Sequence, residues 1–163
     1  MNDLFAPPGN AWQPVSPQLG RMRRVVLAVV VGVLVVAAVV VTRVFGLPVW
    51  VTVTLPVVLL GLLAYGWVLI GRNARSWGYA ERDEDLYVKH GVMFRELVAV
   101  PYGRMQYVDV TSGPVEQLFG IATVHMHTAS PKTSARIPGL PRDEAGRLRD
   151  RLTSLGEAQA AGL

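Results

Sequence analysis

Two long uncharged apolar runs, separated by four residues, constrain this chain more than any other feature. The first extends from Val25 to Thr42, 18 residues and almost all valine, leucine and alanine. At about 1.5 Å per residue a helix of that length reaches the lower limit for crossing the roughly 30 Å hydrocarbon layer of a bilayer. Valine is a poor helix former in water, but oil offers the peptide groups no partner except one another, so the helix becomes obligatory. The second run, Leu47 to Ile70, has 24 residues. Pro48 stands near its start, and Pro56 inside it predicts a kink because proline lacks the N–H and crowds the preceding turn. Trp50, Tyr65 and Trp67 fall where amphipathic rings sit at headgroup level. Only Arg43, Val44, Phe45 and Gly46 lie between the runs. The helices must therefore turn back at once and pack antiparallel, with Gly32, Ala37, Ala38, Gly61, Ala64 and Gly66 as small contact residues.

Arg21, Arg23 and Arg24 precede the first crossing, and Arg72 and Arg75 follow the second, against the single Arg43 in the turn. Basic side chains are retained on the cytoplasmic side during insertion, so a multi-pass protein of the cell membrane with both termini cytoplasmic is expected. A cleavable signal peptide would share the basic flank. Its apolar core would be shorter, and no small-residue cleavage pattern precedes Arg43. Residues 1–20, with Pro7-Pro8-Gly9, Pro14 and Pro17, read as a flexible tail in which Trp12 touches the membrane interface.

The formal charge of +4 suggests nucleic acid only until it is divided by region. Residues 72–163 carry twelve basic and eleven acidic side chains, with no basic block interleaved with aromatics, so nucleic-acid binding is not expected. The absence of cysteine removes disulfides and thiolate chemistry and fits a reducing compartment.

After Gly71 the pattern changes to short β-like pieces. Ser76 to Ala80 is followed by an acidic turn, Glu81-Arg82-Asp83-Glu84-Asp85, then a strand Leu86 to His90, a glycine turn at Gly91 and a second strand Val92 to Val100. Pro101 interrupts the ladder, and Arg104 to Thr111 resumes it. Ser112-Gly113-Pro114 opens one or two helical turns closed by Gly120, and Ile121 to Ala129 forms a further strand with Ala122, Val124, Met126 and Thr128 on one face. A polar turn, Ser130 to Ser134, leads to the short Ala135-Arg136-Ile137. A helix from Pro141 to Leu155 repeats Ala145, Leu148, Leu152 and Leu155 at three- and four-residue spacing. The expected organisation is a tail (1–20), a transmembrane hairpin (21–71, with helices about 25–42 and 47–70), a small mainly β domain (72–155) and a frayed end (156–163).

Gly103-Arg104-Met105-Gln106-Tyr107-Val108, Gly113 to Ala122, Thr128-Ala129 and Ile137-Pro138-Gly139-Leu140 together resemble the bacterial pleckstrin-homology-like family of YdbS-like membrane proteins, over roughly residues 72–155. The resemblance implies a two-helix transmembrane hairpin followed by a curved antiparallel sheet capped by a C-terminal helix. It implies no established activity, although some such bacterial domains look like assembly modules.

Arg104 and Gln106 occupy the family-like Arg-x-Gln pattern; they read either as polar recognition groups or as side chains tying down the following turn. Lys89, Arg95, Lys132 and Arg136 are the cations available for a ligand or partner surface, but Asp83, Glu84, Asp85 and Glu96 are interspersed among them in the sequence. A dense basic loop is absent, which argues against specific phosphoinositide recognition; Arg72 and Arg75 attract anionic lipid without specificity. His125 and His127 share a strand face and, with His90, offer three nitrogens, but no acidic ligand is fixed nearby and neither a metal nor any other cofactor is expected. There is no nucleophile elbow, calcium loop, phosphate loop or dinucleotide fingerprint, so no enzyme is expected. The leading expectation is a non-enzymatic, membrane-tethered binding or scaffolding protein that acts through protein–protein assembly, with another protein or a second copy as partner. The alternative is recognition of anionic lipid head groups or an envelope-associated ligand.

Overall fold

The computed structural model describes residues 12–129 and 134–160. Two helices, α1 (Pro17–Val44) and α2 (Val49–Ser76), form an antiparallel hairpin, each 28 residues long. Both exceed the apolar runs because their polar ends continue out of the oil-like stretch into the domain. Ser16 caps α1, its hydroxyl accepting from the Gln18 N–H at 3.2 Å, and Pro17 follows as the first helical residue. Gly46, at φ +63°, makes the tight reversal. Pro56 sits inside an unbroken α2. Of the glycines expected to permit close approach, Gly66 does so, beneath Leu27, whereas Gly32 and Gly61 face open space. The apolar side chains of both helices are scarcely covered by the rest of the chain; Val33 and Val36 are each 63% exposed. This distinguishes them from the core helix of a soluble protein, and both are long and apolar enough to cross a membrane.

The tail expected over residues 1–20 gives way to order from residue 12; residues 1–11 lie outside the described residues. Strand β1 (Gln13–Pro14) pairs with β2 (Gly78–Glu81), and the Ser16 N–H donates to the Gly139 carbonyl at 2.9 Å. The segment is poor in apolar residues, but Val15 and Leu19 stand where the root of α1 meets the sheet, and both enter the core. The domain therefore includes residues from before the first crossing as well as after the second.

The first sheet has the order β1-β2-β3-β4, all antiparallel, with β3 at Asp85–His90 and β4 at Glu96–Pro101. Leu86 and Val88 are buried between the partly exposed Tyr87 and Lys89, the alternation a half-buried strand requires. The strand expected from Val92 starts only at Glu96. Gly91, at φ +105°, turns so sharply that a Cβ there would strike the Phe94 carbonyl, and the turn consumes Val92 to Arg95.

A 3-10 turn, Tyr102–Arg104, follows Pro101 and carries the chain to the second sheet, β5 (Met105–Thr111), β6 (Ile121–Thr128) and β7 (Ala135–Pro141), in that order. The short helix α3 (Pro114–Leu118) joins β5 to β6; the Gly113 N–H donates to Glu116 Oε2 at 2.9 Å, and Gly120 closes it at φ +65°. Strand β7 is longer than the expected Ala135-Arg136-Ile137. It continues through Pro138 and Gly139 because a shift of register between Ala122 and Val124 absorbs them. Helix α4 (Arg142–Ala160) likewise passes the expected end at Leu155: Gly156 stays within the helix, facing the Tyr102 carbonyl at ordinary contact distance.

One core joins the two sheets, α4 and the root of α1. Tyr102, Leu148 and Leu152 are fully buried within it, and the Tyr102 hydroxyl donates to the Arg82 carbonyl at 2.9 Å. At the rim, the Tyr79 hydroxyl donates to Glu144 at 2.8 Å, while Arg147 reaches Glu144 and Glu81, and Arg151 also pairs with Glu81. A helical hairpin followed by a two-sheet β domain and a closing helix is the architecture that the resemblance implied.

Candidate functional site

The membrane hairpin and the β domain meet at the end of α2. The Gly91 N–H donates to Ser76 Oγ at 3.1 Å, so the β3–β4 turn is tethered to the last residue of that helix. Strand β2 leaves the helix end and β3 returns to it, with Lys89 opposite Gly78. Arg72 and Arg75, on the last turns of α2, thereby come to face Lys89 and Arg95. Together with Ser76, His90, Gly91, Val92 and Glu96 they line a cavity of about 490 Å³. Four basic side chains converge there against one carboxylate, and that carboxylate, Glu96, lies 3.6 Å from His90 Nε2. Burial, with the neighbouring Arg95 guanidinium adding to it, lowers the Lys89 ammonium below the ordinary lysine value. Its Nζ stands 4.1 Å from the centre of the Trp12 ring, a cation–π contact that holds the lysine beside the cleft.

The other arginines of the helix ends also line clefts at the root of the hairpin. Arg75 is shared with a cavity of about 390 Å³ bordered by Arg21, Arg24 and Trp77. Arg24 lies across Gly71 with its guanidinium 5.3 Å from the Trp67 ring centre; its Nε and the Trp77 Nε1 are buried without an acceptor among the described residues. Arg23 donates to Asn73 Oδ1 at 2.8 Å and borders a third cavity, of about 720 Å³, with Arg136, His90, His125 and His127. These histidines do not gather as metal ligands. His127 Nε2 lies 3.1 Å from Asp109 Oδ1, His125 Nε2 lies 3.0 Å from Thr111 Oγ1, and His90 stacks on Trp77. No group of three or more histidine, aspartate or glutamate side chains placed to hold a metal ion occurs among the described residues.

The residues singled out from the sequence are thus distributed unevenly. Lys89 and Arg95 join Arg72 and Arg75 in the 490 Å³ cleft, and Arg136 joins Arg23 in another. Arg104 is exposed in the turn before β5. Gln106 falls at the register shift between Met105 and Tyr107 and borders a separate shallow cleft against α4. Lys132 lies outside the described residues. Met93 and Phe94 escaped sequence reading because they were assigned to a strand; they stand 86% and 85% exposed at the tip of the β3–β4 turn. The only signal for them is Gly91, whose left-handed conformation forces that turn.

A ring of guanidinium and ammonium groups around a wet cleft can hold a phosphate or carboxylate by charge-assisted hydrogen bonds, and guanidinium can do so bidentately. A family model described as bacterial PH domain matches residues 15–155, so the match takes in the root of α1 and the hairpin as well as the β domain. The UPF0699 transmembrane protein YdbS of Bacillus subtilis is 30% identical over 149 residues, which cover 91% of this chain and 92% of that relative. No solved structure matches the chain.

Proposed function

The chain belongs to the bacterial PH domain family, and from that premise we propose that it is a membrane-tethered, non-enzymatic binding module whose basic cleft takes up the anionic head group of a lipid in the leaflet beside it. One observation carries this reading: Arg72, Arg75, Lys89 and Arg95, far apart in sequence, line a single cleft at the foot of an apolar helix. Each such cation near an anionic membrane surface contributes about 1 kcal/mol, and convergence on one head group adds geometry to what would otherwise be diffuse attraction. Tethering keeps the cleft at the height of its ligand, so even weak contacts are populated. The arginines that flank the hairpin support a cytoplasmic position for both chain ends.

The test is native mass spectrometry of the full chain released from bilayers of mixed phosphatidylcholine and phosphatidylglycerol. Phosphatidylglycerol is expected to be retained beyond its share of the bilayer, and the double variant Lys89→Ala/Arg95→Ala, which leaves the helix-flanking arginines in place, is expected to lose the excess. Retention in proportion to bulk composition would contradict the reading. A second reading, docking of a protein partner or a second copy, draws on Leu118, 85% exposed beside the exposed Val115 on α3. Site-directed crosslinking from Leu118→Cys in native membranes would support it by giving one discrete adduct, and no adduct would count against it.

A further inference from the structure

We infer that the tip of the β3–β4 turn, Met93 and Phe94, enters the bilayer interface as a third membrane contact of the molecule, beside the two helices. Met93 and Phe94 are 86% and 85% exposed, more than any large apolar residue of the two helices, and they are adjacent. Strand β3 runs back toward the end of α2, and the turn is held there by the Gly91–Ser76 hydrogen bond of 3.1 Å. Ser76 lies six residues from Ile70, the last residue of the uncharged run, which is about 9 Å along a helix. Phe94 follows Gly91 by three residues, and the turn folds back so tightly that the Phe94 carbonyl lies against Gly91, which keeps the tip beside Ser76. Val92 and Arg95 already share a cleft with Arg72, two residues from Ile70. The tip therefore stands beside the last turns of α2, next to the arginines that bound the apolar run.

Its surroundings match that boundary chemically. Arg72, Arg75 and Arg95 form a basic collar behind an apolar point, complementary to a leaflet in which phosphates lie just outside acyl chains. Gly91 fixes the turn, since any side chain there would meet both a positive φ and the Phe94 carbonyl. The point is thus presented on a turn defined by Gly91 and by its hydrogen bond to Ser76. This deepens the head-group reading above, because a tip seated in the interface holds the basic cleft flush with the phosphates.

The chain has no cysteine, so single sites can be labelled without background. Phe94→Cys and, as a distal control, Thr153→Cys on α4 would each carry an environment-sensitive NBD group in full-length protein reconstituted in nanodiscs. The label at position 94 is expected to be blue-shifted and quenched by lipids bearing a nitroxide near the top of the acyl chain, while the label at 153 reports water. Emission at 94 like that at 153 would overturn the inference. Met93→Cys repeats the measurement should the first variant distort the turn. If position 94 is inserted but lipid retention follows bulk composition, the tip stands and the head-group reading fails. If retention favours phosphatidylglycerol while position 94 reports water, the reverse holds.

Discussion

Gly139 concentrates several constraints in one residue. Its φ of +73° excludes most side chains, and a Cβ there would overlap Leu19 on the root of α1. Gly139→Ala is expected to cost about 2 kcal/mol, combining left-handed strain with displacement of a core leucine. Leu19→Ala should cost more, about 2–5 kcal/mol, because Leu19 is fully buried. Both are checked by denaturant unfolding in detergent, followed by near-ultraviolet circular dichroism. The motif around Gly139 was legible in the sequence as a family resemblance, but its cause was not, since nothing local announces that a helix more than 100 residues earlier presses on it. Charge at the rim gives a pH dependence. The Arg147 guanidinium, aided by the Tyr79 hydroxyl, holds the Glu144 carboxyl below the usual carboxylate range. A depressed pKa contributes stability that is present above the unfolded value and lost as pH falls through the folded one. Glu144→Gln should therefore narrow the stability difference between neutral and acid pH in pH-dependent melting. On the alkaline side burial pushes the Tyr102 phenol up to about 12. Its contribution is present below the ordinary tyrosine value of about 10 and fades as pH rises toward the folded one, so Tyr102→Phe should flatten that limb.

Elements were legible wherever periodicity or solvent preference acts locally. The two apolar runs, the alternation in β3 and β6, the glycine-bounded α3 and the leucine stripe of α4 each encode their own conformation. Boundaries differed where a glycine's role was misjudged: Gly156 does not end α4, which runs on to Ala160, and β4 begins late because Gly91 forces a wider turn. The N-terminal segment was misread because tertiary contact decides it. Its scattered apolar residues are too few to signal a core, yet two of them, Val15 and Leu19, complete one. An isolated 72–160 segment therefore lacks β1, Val15 and Leu19 and leaves their seat exposed. Limited proteolysis should cut it well before the full chain in detergent, and equal protection would show that the root of α1 is dispensable for the domain.

At the scale of the whole molecule, folding sorts charges that the sequence interleaves. The acidic residues Glu81 and Asp85 stand at the end of the β2–β3 hairpin remote from α2, where Arg147 and Arg151 of α4 take up Glu81. Lys89 and Arg95 return to the helix end and join Arg72 and Arg75. A linear reading finds Lys89 and Arg95 interspersed with acids and no dense basic loop, which argues against specific phosphoinositide recognition; the hairpin separates Glu81 and Asp85 from them by the length of a strand. On the proposed reading, the apolar helices then orient the result, setting the basic end of the domain against the leaflet and the α4 rim away from it. That arrangement requires both polar ends of the hairpin on one face of the membrane and the Phe45 turn on the other. Membrane-impermeant thiol labelling of Phe45→Cys and Thr153→Cys in intact cells measures it directly: Phe45→Cys should label and Thr153→Cys should label only after the membrane is opened. Equal labelling of both sites in intact cells would contradict the account.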